Sequence, residues 1–163
     1  MGQLRTVVVL GVAGALAAVG LLQARLGHEP TPTAAPASAA VGSPALDVLH
    51  GWDDARSHAW ATGDAAALRR LYVAGSAAGR TDVLMLRRYL ARGLVVRHLR
   101  MQVFAVHVLR RAGGTLRMRV TDRVAGGVAV AAGRRLRLPG DTATTRTIVF
   151  RRVSGDWRVA AVR

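Results

Sequence analysis

The apolar residues of this chain change their period at Gly93. Before it they recur at helical spacing; after it they alternate with polar residues. That switch divides the chain into a helical half and a strand half, and it restricts the fold more than any single motif does. From Pro44 to about Thr62, residues Ala45, Val48, Leu49, Trp52, Ala55, Ala59 and Trp60 fall on one helical arc. Ser43-Pro44 supplies an N-cap followed by proline at the first helical position. Gly63 ends this helix and Asp64 caps a short second one with Leu68, Leu71 and Tyr72 inward. "GSAAG" breaks it, and Thr81 or Asp82 caps a third helix that Gly93 ends. Beyond Gly93, "LVVRHLRMQVFAVHVLRR" predicts a long strand, bent near Arg97 to Arg100, and "AGG" a turn. "TLRMRVTDRV" predicts the second strand, "TTRTIVFRRV" the third main strand and "WRVAAV" the last. A looser, Gly-rich stretch over 125–141 has room for a small hairpin. Three helices followed by an antiparallel meander make an α+β domain over residues 44–163.

What precedes the domain differs in kind. No residue from Thr6 to Ala24 is charged, and a helix of that length spans about 28 Å, near the thickness of a bilayer's hydrocarbon core. Residues 1–25 are therefore read as a signal anchor, with a cleaved signal peptide as the competing membrane reading. The short head before the segment favours an exported domain, although Arg5 and Arg25 flank it almost symmetrically. "MGQLRT" also fits the loose myristoylation pattern, a match common by chance. Residues 26–43, with Pro30, Pro32 and Pro36 among Ala, Thr and Ser, form a linker that reaches roughly 50 Å if extended. The expected location is a single-pass cell-membrane protein with its domain outside the cytoplasm.

Charge narrows the partners. The net charge is +15, every basic residue is Arg, and only Arg5, Arg25 and Glu29 among the charged residues precede the domain. Anionic lipid, an envelope polymer or an acidic face of a membrane complex all suit such a domain. Nucleic acid fits less well, since no recognition helix or stacking-aromatic pattern accompanies the charge. With no cysteine, disulfides and thiolate metal sites are excluded.

The run W52…R56…AW-ATGD…L68..LY, curved strands, and a terminal "GDWRVAAV" resemble the NTF2-like, or SnoaL-like, superfamily over residues 44–163. The resemblance implies helices closing the concave side of a bent sheet to form a cone. The superfamily holds isomerases, dehydratases and other enzymes, along with non-catalytic modules. Some of those modules are membrane-anchored, exported domains of bacterial envelope systems, and the order of anchor, stalk and domain looks like that group. No shared catalytic motif maps onto these positions.

In "LRMRVTDRV" the alternation puts Leu116, Met118, Val120 and Val124 on one face and Arg117, Arg119 and Arg123 on the other. Asp122 falls on the apolar face. A carboxylate there must be paired, hydrogen-bonded or protonated, unless the strand end is exposed. Arg56, oddly placed on the inward arc of the first helix, is the expected ion-pair partner. His107 alternates with Met101, Val103 and Ala105 and is expected to share a pocket with Tyr72 or Tyr89. Asp122 and His107 are thus the candidate catalytic residues of a rival reading, a small isomerase or dehydratase working by proton transfer. Arg117, Arg119 and Arg123 form a candidate anion-binding face, with Arg110, Arg111, Arg151, Arg152 and Arg158 on neighbouring strands and Arg134, Arg135 and Arg137 in a basic loop. His50, Asp54 and His58 recur every four residues, which reads as a solvated helix face rather than a metal site. No metal or cofactor is expected. The leading expectation is a membrane-anchored, non-catalytic domain acting in binding or assembly.

Overall fold

A computed structural model describes residues 44–163. The apolar N-terminal segment and the Pro-rich linker lie outside the described residues. Among the described residues no helix is long and apolar enough to cross a membrane.

Three helices come first: α1 (Pro44–Thr62), α2 (Ala65–Arg70) and α3 (Ala77–Leu90). Five strands follow: β1 (Val95–Ala112), β2 (Thr115–Ala131), β3 (Arg134–Leu138), β4 (Thr144–Val153) and β5 (Asp156–Val162). All pairings are antiparallel, in the order β1-β2-β4-β5, with β3 paired to the far half of β2. The helices pack on one face of this curved sheet, α1 mainly against β1 and α3 against β5. The core lies between the layers, where Leu49, Trp60, Leu68 and Leu86 meet Leu116, Met118, Ile148 and Phe150, all fully buried.

The local causes are visible. Asp64 caps α2 by accepting from the amides of Ala66 and Ala67 at 2.9 and 2.8 Å. Irregular register between Arg97 and Met101, with His98 at φ 54°, bends β1. The Gly-rich stretch after Val124 is strand rather than loop: β2 runs on to Ala131 and turns back as β3.

The third helix departs from expectation. It starts at Ala77, capped by Ser76, so Asp82 lies inside it, buried, and is no cap. "GSAAG" looks like a breaker, yet Gly79 sits in the first turn because no side chain fits there. A Cβ at Gly79 would stand 2.6 Å from Cγ and 2.7 Å from Cβ of Tyr72. Those Tyr72 atoms sit close to its backbone and cannot swing aside. Gly79→Ala is therefore expected to destabilise the domain by about 1–2 kcal/mol despite alanine's better helix propensity. The urea midpoint checks this; a rise in the midpoint would show that the α2–α3 turn yields freely.

Candidate functional site

Two ionic clusters occupy the space between helices and sheet, and a basic face covers the sheet's other side. The first cluster is centred on Asp82. Arg56 donates to it through Nε and Nη2, each at 2.7 Å, in a bidentate pair. Trp60 Nε1 donates to Oδ1 at 3.2 Å, and the Tyr72 hydroxyl to Oδ2 at 2.7 Å. Each carboxylate oxygen thus accepts two donors. The guanidinium also lies 6.0 Å from the Trp52 ring centre and 5.8 Å from that of Trp60, within cation–π reach. Burial opposes the Arg56 charge, but Asp82 more than offsets it and raises the Arg56 pKa. Burial and the Asp82 charge likewise raise the Tyr72 pKa.

This corrects the expected ion pair. Arg56 is an inward, paired residue, but its partner is Asp82 of α3, one layer nearer than the sheet. Asp122 is 1% exposed and takes an ion pair from Arg146 of β4 instead. The register explains why. Asp122 stands opposite Thr144 and Val120 opposite Arg146, so Arg146 points to the same inner face, one pair along. Sequence reasoning missed Arg146 because its faces could not be assigned until β2 and β4 were aligned.

The second cluster is less well satisfied. Asp122 Oδ1 and Arg146 Nε are buried without a hydrogen-bond partner. Burial raises the Asp122 pKa, against the pull of Arg146. Asp53, half-buried on α1, feels the charges of Arg56, Asp122 and Arg146. Its carboxyl is pushed up to about 7, chiefly by burial. Asp53 and Arg56 line a cleft of about 200 Å³ with Ser57, Leu99 and Met101. A carboxyl that titrates near neutrality at the edge of a cleft can exchange a proton with a bound molecule. The helical period did not single it out: it marks Trp52 and Arg56 of "WDDAR" as inward but leaves Asp53 at the edge of their arc.

His107 does not join either cluster. It is exposed, and it stands opposite Arg119. The register shift between Val103 and Ala105 moves it to the other face from the one its alternation with Met101 and Val103 implies. It therefore shares no pocket with Tyr72 or Tyr89, both of which are buried.

On that outer face Arg117, Arg119 and Arg123 are all exposed. Arg110 stands opposite Arg117, and Arg151 opposite Thr115. Arg123 donates to Gln102 at 2.9 Å and lies 5.6 Å from the ring centre of Phe104, which is half exposed. Over 102–110, 117–123 and 145–151 the single carboxylate is Asp122, which points inward.

The chain is similar in fold to solved structures. It aligns with the intermembrane space region of the chloroplast protein ARC6 at 14% identity and a TM-score of 0.50, over 73% of this chain and 92% of that one. A proposed dehydratase of the NTF2-like family from Streptomyces avermitilis is 18% identical, with a TM-score of 0.43 over 74% of this chain and 95% of that one. A proposed aromatic ring hydroxylase from Novosphingobium aromaticivorans is 16% identical, with a TM-score of 0.48 over 74% of this chain and 88% of that one. No protein-family model and no curated protein matches the chain. The neighbours include NTF2-like proteins, one described as a dehydratase and another of unknown function.

Proposed function

We propose that this is a non-catalytic NTF2-like binding domain, anchored in the cell membrane by the N-terminal apolar segment, exported, and engaging an anionic surface through the outer face of its sheet. The observation that carries this reading is the basic face itself: Arg117, Arg119 and Arg123 exposed along one strand, with Arg110 and Arg151 beside them, while the one carboxylate of these segments, Asp122, points inward. Like charges opposite one another cost stability within a sheet. A face that keeps Arg110 against Arg117 carries a cost that an anionic partner would offset. Guanidinium forks suit phosphate. A domain on a short tether beside its own membrane meets anionic headgroups at high local concentration.

The test uses the full chain. In spheroplasts, external protease should remove the domain while a carbonate-resistant stub stays in the membrane. Held in zwitterionic nanodiscs, the chain should capture phosphatidylglycerol vesicles. That capture should weaken with salt, and about 10- to 100-fold in the triple variant Arg117→Gln, Arg119→Gln, Arg123→Gln, at roughly 1 kcal/mol or less per residue. Protection from external protease, or capture indifferent to the triple variant, would overturn the reading.

The second reading is a small isomerase or dehydratase, favoured by one observation: Asp53, with its carboxyl near 7, lines a cleft beside the Asp122–Arg146 pair. In that reading Asp53 is the proton carrier, Asp122 holds Arg146, and His107 takes no part. It requires turnover with a limb near pH 7 that Asp53→Asn abolishes.

A further inference from the structure

A groove of about 640 Å³ lies between α2, the turn after it, and α3, bordering the Asp82 cluster at Tyr72 and reaching Arg158 on β5, which stands opposite Arg151. Its volume falls in the range of single-ligand sites. Five arginines line it, Arg69, Arg70, Arg80, Arg87 and Arg158, and no carboxylate does. Among the described residues only Arg158 of these has an ion-pair partner, Asp156 at 3.8 Å, whose side chain is mostly exposed. Arg80 is held over the turn by an Nη1 hydrogen bond to the Gly75 carbonyl at 2.6 Å. The lining also includes apolar surface, with Tyr72 buried and Leu84 49% exposed.

Arginines gathered round a concavity repel one another and gain from an anion placed among them. An exposed leucine in the same concavity gains from an apolar group. Stacked bases find no platform here: the Tyr72 ring meets the edge of Trp52 and its hydroxyl is held by Asp82. We propose that this groove binds a single-chain anionic amphiphile, its phosphate or carboxylate head among the arginines and its apolar tail on Leu84. The site contains none of Arg117, Arg119 and Arg123 and does not depend on the membrane reading.

Octyl phosphate, octanol and inorganic phosphate separate head from tail. Each is titrated calorimetrically into the full chain in zwitterionic nanodiscs. Partition into lipid is common to wild type and variants and cancels in their difference. Octyl phosphate should bind at least about tenfold more tightly than either fragment, because each part alone forgoes the other's contacts. Arg80→Gln with Arg87→Gln, both exposed positions, should weaken it about tenfold, and so should Leu84→Ser. The triple variant of Arg117, Arg119 and Arg123 should bind it unchanged, even where that variant has lost vesicle capture. Inorganic phosphate binding as tightly as octyl phosphate would reduce the groove to a bare anion site and overturn the proposal. So would binding unaffected by the Arg80 and Arg87 changes, or binding lost with the sheet-face arginines.

Discussion

Asp82→Asn is expected to destabilise the domain by about 3–5 kcal/mol, the usual cost of removing one partner of a buried ion pair. Asparagine keeps the shape but cannot balance the Arg56 charge. Its amide nitrogen would also face a donor, because both Asp82 oxygens each accept two N–H or O–H groups. Arg56 has little freedom to seek water, since its guanidinium lies near the Trp52 and Trp60 rings and its side chain is 14% exposed. A domain of this size has only about 5–15 kcal/mol of stability in total, so the variant should sit close to unfolding at ambient temperature. Urea denaturation measures this directly. The double variant Arg56→Met, Asp82→Asn removes the stranded charge yet leaves one oxygen to accept from Tyr72 or Trp60. It should regain most of the loss. A single variant within about 1 kcal/mol of wild type would mean that water reaches Arg56.

The same cluster shows where sequence reasoning works and where it stops. The helix and strand periods located α1 and the β-meander, because each segment buries one face and its pattern records that face. Arg56 stood out since an arginine on an apolar arc demands a partner. The partner itself was out of reach. Asp82 follows a glycine-containing stretch that resembles a loop, and the fit of Gly79 on Tyr72 that makes the stretch helical is a tertiary contact. The outer arginines of β2 were legible for the opposite reason: a strand of strict alternation carries its facing in its own spacing. His107 was misread because one bulge between Val103 and Ala105 reverses the facing of the strand until a second, between Val108 and Arg110, restores it. Bulges leave no mark in composition. The carboxylate of "LRMRVTDRV" is buried as its spacing implies, but the guanidinium that meets it comes from β4, at a register only the folded sheet defines.

That carboxylate and its neighbour give the second large effect. Raising the pH from 5 to 8.5 should cost the domain about 2–3 kcal/mol of stability through Asp53. The sign follows from the direction of the shift. Burial lifts the folded carboxyl from 3.8 to about 7, so the folded state holds the proton more tightly than the unfolded chain. The contribution is complete below the unfolded pKa, near 4, and is lost as pH rises through the folded one. Asp122, whose pKa burial also raises, adds a slope of the same sign. Asp53 is only half-buried, so solvent relieves part of the cost, and the figure is an upper range. In Asp53→Asn the Asp53 part should vanish, so the variant's advantage over wild type should be clearly larger at pH 8.5 than at pH 5. Urea midpoints at both pH values for both proteins read out the effect. Parallel pH profiles would mean that Asp53 titrates in water and has no proton to offer its cleft, which would remove the basis of the enzymatic reading. A profile that flattens only in Asp53→Asn would place a neutral-pH proton beside the Asp122–Arg146 pair. The domain would then carry a group whose charge changes near neutrality, within reach of whatever occupies the cleft.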